Sequence, residues 1–246
     1  MLLERSLQTL IETNLEVFIG VKLLASEYFT GKVHGGRIDT LGIDENGCPV
    51  IIEYKRTINE NVMNQGLYYL DWLMDHKAEF ELLVQKKVNK ETSENVEWNN
   101  SRLLCIAGDF TKYDEHAVLQ INRNIELIRY RKYGDEFLLF ELVNASAVFE
   151  TSESGDKTSN NEKVYKTVTE YLEQSSETLK SLFESIKTEI LSFGDDVQMK
   201  ILKHYIAFKR IKNFVCVEIK PQIETILVYL IAYHKNFYPV LLFCSL

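Results

Sequence analysis

Gly36-Arg37-Ile38-Asp39-Thr40-Leu41-Gly42-Ile43-Asp44-Glu45-Asn46-Gly47-Cys48-Pro49-Val50-Ile51-Ile52-Glu53-Tyr54-Lys55 is the stretch that decides the fold. Residues 37–43 alternate as a strand, and 50–55 form a second strand rich in Val and Ile. Between them Asp44-Glu45-Asn46-Gly47 reads as a hairpin turn, since Asn-Gly supplies the positive φ a tight turn needs. Residues two apart on a strand share a face, so Glu53 and Lys55 emerge together, about 6.6 Å apart at roughly 3.3 Å per residue. Ile52 and Tyr54 turn the other way, into a core. Folding alone gives no reason for a charged pair on such a strand. Asp39 lies fourteen residues before Glu53, and the hairpin folds the two strands so that it comes beside Glu53.

Two carboxylates and a strand carbonyl form an all-oxygen donor set suited to Mg²⁺ or Mn²⁺. Such an ion holds a phosphate and lowers the pKa of its bound water. Lys55 supplies a cation that orients the water or stabilises developing negative charge. These parts meet the needs of phosphodiester hydrolysis.

Upstream, residues 3–19 predict an amphipathic helix, with Leu3, Leu7, Leu10, Ile11, Leu15 and Phe18 at helical spacing. Residues 21–30 read as a strand and 31–36 as a loop with three glycines. Downstream, Thr57 and Glu60 have capping-box spacing and open a long helix through Val62, Leu67, Leu70, Leu73 and Met74 that continues toward Val84. Residues 102–107 predict a short buried strand, 112–130 a helix and 136–143 a last strand. The order implies the α/β class, with a mixed central sheet flanked by helices. Thr-Ser-Glu-Ser-Gly-Asp-Lys-Thr-Ser-Asn-Asn, from Thr151, is polar without apolar period and reads as a linker. It divides the chain into a domain at 1–150, a linker at 151–162 and a small C-terminal α/β domain at 163–246. In the latter, residues 165–191 and 198–209 predict helix and 214–219 a strand.

The 246 residues are 46% hydrophobic and 11% aromatic, enough for a sizeable core, which excludes a disordered chain. The net charge of −8 argues against a general nucleic-acid coat, though a carboxylate site that recruits metal tolerates it. Cys48, Cys105, Cys216 and Cys244 form no CxxC pair, so neither a zinc cluster nor a dense disulfide framework is expected, and a reducing cytoplasm is. Glu4, Arg5 and Gln8 break the N-terminus, which does not read as a signal peptide. The apolar tail from Ile223 is interrupted by His234, Lys235, Asn236 and Pro239, so no membrane span is expected.

Glu-x-Lys alone is common, and Val217-Glu218-Ile219-Lys220 repeats it without a hairpin partner bearing Asp. That copy reads as the solvated face of an ordinary strand. His34, His76, His116, His204 and His234 lack zinc-site spacing, and Gly31-Lys32-x-x-Gly35-Gly36 lacks the Lys-Ser/Thr ending of a phosphate loop. Asp71 and Asp109 read as structural.

What separates the first copy is its context. Gly36-Arg37-Ile38-Asp39-Thr40-Leu41, then Val50-Ile51-Ile52-Glu53-Tyr54-Lys55-Arg56, then Gln65-x-x-x-Tyr69 resembles the catalytic domain of NucS-type endonucleases. Those belong to the PD-(D/E)xK, or restriction-endonuclease-like, superfamily. The resemblance covers roughly residues 1–143. It implies a restriction-endonuclease-like fold, with Asp39 and Glu53 as metal ligands, Lys55 as a catalytic residue, and Gln65 and Tyr69 facing the metal and the DNA backbone from one helical face. It also implies an acid of the first helix at the metal, Glu4 before Glu12, and phosphate contacts from Arg37 and Arg56. The C-terminal part resembles an uncharacterised domain found behind nuclease-like domains, altered or truncated near Leu246.

The expected function is a metal-dependent deoxyribonuclease, with DNA before RNA as substrate. The alternatives are a catalytically silent nucleic-acid-binding module and a protein adaptor working through residues 163–246. Partners expected besides nucleic acid are a protein docked on the C-terminal domain and a second copy of the chain.

Overall fold

A computed structural model of the protein describes residues 4–55, 62–134, 137–146, 168–202, 204–231 and 240–245. The chain forms two compact units, residues 1–151 and 152–246.

The first unit opens with α1 (Glu4–Thr13) and α2 (Leu15–Ile19), broken at Asn14 rather than continuous. β1 (Val21–Phe29) follows, then a four-residue helical turn, α3 (Gly31–His34), where a loop was expected. β2 (Arg37–Asp44) and β3 (Pro49–Lys55) are the predicted hairpin. Then come α4 (Val62–Asp75), α5 (Lys77–Lys87), α6 (Lys90–Glu94), β4 (Arg102–Ala107), α7 (Lys112–Gln120), β5 (Asn124–Tyr133) and β6 (Phe137–Ser146). The capping box expected at Thr57 and Glu60 lies outside the described residues.

The six strands form one sheet in chain order. Pairing is antiparallel from β1 to β3, parallel from β3 to β5 and antiparallel again at β6. This is the mixed sheet expected. One face packs Leu41, Ile51, Leu103, Cys105, Ile125 and Leu127 against Leu70 and Leu73 of α4 and Phe80 and Val84 of α5. α1 contacts β2 and β3, and its Leu7 and Ile11 are fully buried.

The helix expected over 112–130 ends at Gln120, and 124–133 is β5 instead. Asn124–Ile128 is buried on both faces, and a strand so covered shows no period of two. α7 does begin as read, with Thr111 and Asp114 exchanging side-chain and backbone hydrogen bonds in a capping box.

At the hairpin, positive φ falls on Gly47 alone, at 76°. Asp44 organises the rest: its Oδ1 accepts from the N–H groups of Asn46 and Cys48, both at 2.9 Å. Its Oδ2 accepts from Arg102 at 2.7 Å, and Arg102 also makes two hydrogen bonds to Glu126, at 2.9 and 3.0 Å. All three side chains are buried. This triad ties β2, β4 and β5 at one end of the sheet, opposite the end where β3 and β4 finish.

The second unit contains α8 (Val168–Glu173) and α9 (Glu177–Leu191), then β7 (Gln198–Ile201), β8 (Ile206–Lys209), β9 (Asn213–Lys220), β10 (Thr225–Leu230) and β11 (Val240–Ser245). Its antiparallel sheet runs β11-β10-β9-β8-β7. The helix expected over 198–209 is two strands of four residues each, too short for alternation to declare itself. Val215, Val217 and Ile219 of β9 pack with Phe183 and Ile190 of α9. Glu218 and Lys220 pair with each other at 2.7 Å on the opposite face, the structural role expected of that repeat. Among the described residues no helix is long and apolar enough to cross a membrane.

Candidate active site

Thr40 pairs with Ile52 across the β2–β3 hairpin, so Asp39 stands opposite Glu53 on the same face of the sheet. The two are bound directly: Asp39 N–H donates to Glu53 Oε1 at 3.2 Å, and Tyr54 N–H donates to Asp39 Oδ2 at 3.0 Å. Glu53 is 0% exposed, and its second oxygen, Oε2, is buried without a hydrogen-bond partner. An ionised carboxylate in that position has an uncompensated charge. Burial, and next the negative charge of Asp39, push the Glu53 carboxyl up to about 9; the Asp39 N–H and the nearby Lys55 cation oppose the shift.

The structure thus brings Asp39, Glu53 and Lys55 into one electrostatic neighbourhood. The donor chemistry fits a hard divalent cation. Two adjacent carboxylates, one with an idle buried oxygen, form the hard anionic donor set such an ion takes. Among the described residues no third metal-capable side chain joins them.

α4 supplies the next layer. Tyr69 is 5% exposed, and its hydroxyl accepts from Arg37 N–H at 3.1 Å and from Gln65 Nε2 at 3.3 Å. A Cβ on Gly36 would lie 2.6 Å from the Tyr69 ring and hydroxyl, so only glycine lets the tyrosine close on the chain there. On the adjoining turn, Tyr68 donates to the carbonyl of His34 at 3.1 Å. Thr30 closes the loop by bonding the backbone of Gly36. The consecutive tyrosines therefore pin residues 30–37, which lead straight into Asp39. The Tyr69 hydroxyl thus bonds the backbone at Arg37, where β2 begins. The Arg37 side chain is exposed; Arg56 lies outside the described residues.

On the opposite face, α1 contributes a polar row. Gln8 Nε2 donates to the Asp39 carbonyl at 2.8 Å and to Glu12 at 3.1 Å. Glu12 accepts from Thr40 Oγ1, which also bonds the buried Tyr54 hydroxyl at 3.2 Å. Burial, opposed by the Thr40 bond, raises the Tyr54 phenol above its ordinary range, with Glu12, Asp39 and Glu53 adding to the rise. Glu4 heads α1 one turn before Gln8, and its side chain lies outside the described set. Gln8, Thr40 and the Tyr54 hydroxyl were not singled out in the sequence. The signal available was their spacing, with Gln8 and Glu12 flanking the buried row of Leu7 and Ile11.

Asp109 is structural, as expected: it pairs with Arg129 at 2.8 Å, and Arg129 also pairs with Glu141 at 3.1 Å.

Residues 168–234 match the model of a domain of unknown function, DUF5655. An uncharacterized protein of Haemophilus influenzae is 29% identical over 231 residues, spanning 89% of this chain and 74% of that one. Among solved structures, a repair endonuclease from Pyrococcus abyssi aligns at 20% identity and a TM-score of 0.37, over 52% of this chain and 47% of that one. A structure of an EndoMS–dsDNA complex aligns at 20% identity and a TM-score of 0.32, over 54% and 48%. This chain spans about half the length of either structural neighbour.

Proposed function

We propose that this protein is a metal-dependent nuclease of PD-(D/E)xK type that hydrolyses phosphodiester bonds in DNA. The observation that carries the reading is the Asp39–Glu53 pair, with the buried Glu53 Oε2 left without a partner and Lys55 on the same strand face. Asp39 and Glu53 would hold Mg²⁺ or Mn²⁺, together with the backbone carbonyl between Glu53 and Lys55. The bound ion supplies Lewis acidity and an acidified water.

The chain's own residues do the remaining work. Burial of Glu53 and its bond from Asp39 N–H fix one carboxylate oxygen and aim the other into the site. Lys55 stabilises negative charge as water oxygen bonds to phosphorus, the ester P–O bond breaks and a proton passes to the leaving oxygen. Gln65 and Tyr69 hold the loop that presents Arg37 to a phosphate. Glu4, at the head of α1, would add a further carboxylate, whereas Glu12 is engaged by Gln8 and Thr40 on the opposite face of the sheet. We assign this chemistry to residues 1–150, and to the domain at 163–246 a role in engaging a protein partner.

Incubating plasmid and linear DNA with the protein in Mg²⁺ or Mn²⁺ tests the reading. Cleavage that disappears in EDTA and in Asp39→Asn supports it. Tight DNA binding with no cleavage under any metal would favour a silent binding module.

A further inference from the structure

β5 and β6 run past the sheet that carries the site. β4 ends at Ala107, which pairs with Arg129, and β5 continues to Tyr133, about 13 Å further at 3.3 Å per residue. Beyond that row, among the described residues, the hairpin pairs only with itself, Arg131 with Leu139 and Tyr133 with Phe137.

Register fixes the side of the sheet on which these residues stand. Lys55, Ala107 and Arg129 are successive partners across β3, β4 and β5, so they share a face, and Arg131 and Tyr133 follow at two-residue steps. Leu139 and Phe137 stand opposite them on β6. The strip from Arg129 to Phe137 therefore occupies the Glu53–Lys55 face, at the same end of the sheet. Two strand spacings, about 9.6 Å, separate Lys55 from Arg129.

The composition of the strip is not explained by folding. Tyr133 is 54% exposed, Phe137 69% and Leu139 47%. An edge strand is usually protected by charge or proline, and β6 instead presents an aromatic and an aliphatic side chain to solvent. Arg131 is exposed beside them. At the root of the hairpin Arg129 neutralises the two neighbouring acids, Asp109 and Glu141. Two exposed aromatic residues in register across the hairpin, next to an exposed arginine, match the needs of a nucleic-acid strand, with faces for bases and a cation for phosphate.

We propose that the β5–β6 hairpin is a nucleic-acid-binding wing, on which Tyr133 and Phe137 stack bases and Arg131 meets the backbone. This rests on the nuclease reading, because the occupant is inferred from the shared face and end of the sheet.

The test uses the full chain carrying Glu53→Gln, so that bound DNA is not cut, with fluorescein-labelled single-stranded and duplex oligonucleotides. Tyr133→Thr with Phe137→Thr keeps strand-forming residues, and Arg131→Ala is a second, independent variant. The aromatic pair should weaken binding by about 30-fold or more, as expected for two lost stacking contacts. Arg131→Ala should lower the slope of log affinity against log salt by about 1. Unchanged affinity in both variants would overturn the wing and leave the nuclease reading standing. So would unchanged affinity accompanied by loss of self-association, since the strip would then be a protein contact. No oligonucleotide binding by the parent protein would overturn the nuclease reading and the wing with it.

Discussion

Asp39 and Glu53 are joined across the β2–β3 hairpin by one hydrogen bond, Asp39 N–H to Glu53 Oε1 at 3.2 Å, while Glu53 Oε2 is buried with no partner. The bond occupies one carboxylate oxygen and leaves the other for the proposed cation. The same burial makes the ionised, metal-free site costly.

That cost predicts a pH dependence. The Glu53 carboxyl is raised from an ordinary value of 4.5 to about 9, so the unfolded chain releases this proton first as pH rises. The unfolded state then binds fewer protons, and stability falls with pH. The contribution is fully present below about pH 4.5 and is lost as pH climbs toward 9. Glu53→Gln should therefore melt above the wild type at pH 8 without metal and alongside it near pH 4. A tenfold difference in proton affinity between the folded and unfolded chain corresponds to about 1.4 kcal/mol, and calorimetry across pH in EDTA checks the trend.

Lys55 lowers the Glu53 pKa by its charge. Lys55→Ala should keep the fold, abolish cleavage and move the onset of Mn²⁺ binding to higher pH. Isothermal titration at several pH values reads the shift, and a binding curve identical to the wild type's would show that Lys55 is electrostatically remote.

Tyr69 and Gly36 should behave as one unit. Tyr69→Phe leaves the part-buried Arg37 N–H without its acceptor, a loss of about 1 kcal/mol. Gly36→Ala drives a methyl against the ring and should cost about 1–3 kcal/mol. The close contact includes the Tyr69 hydroxyl, so the double variant should lose less than the sum. Urea denaturation of the four proteins measures that coupling.

At the far end of the sheet, Arg102→Met strands the buried carboxylates of Asp44 and Glu126. About 3–5 kcal/mol of stability should be lost, and adding Asp44→Asn and Glu126→Gln should restore part of it. Equilibrium unfolding of the single and triple variants decides.

The hairpin and its carboxylate pair were legible because two-residue alternation and the Asn-Gly turn are local signals. Strand β5 was not, because burial on both faces at Ile125, Leu127 and Ile128 erased its alternation. The Arg102 triad joins residues far apart in sequence, and none of the three forms a motif with its neighbours. Tyr69 was visible through its spacing from Gln65, yet its bond to Arg37 N–H depends on how α4 packs over the loop.

Asp39 and Glu53 are proposed to form a metal site at which DNA is hydrolysed. The most direct measurement is Mn²⁺ titration followed by cleavage of labelled DNA, in wild type, Asp39→Asn and Glu53→Gln proteins shown to be folded. Metal binding and cleavage are expected in the wild type, and loss of both in each variant. Metal-dependent cleavage surviving intact in Glu53→Gln would contradict the proposed site.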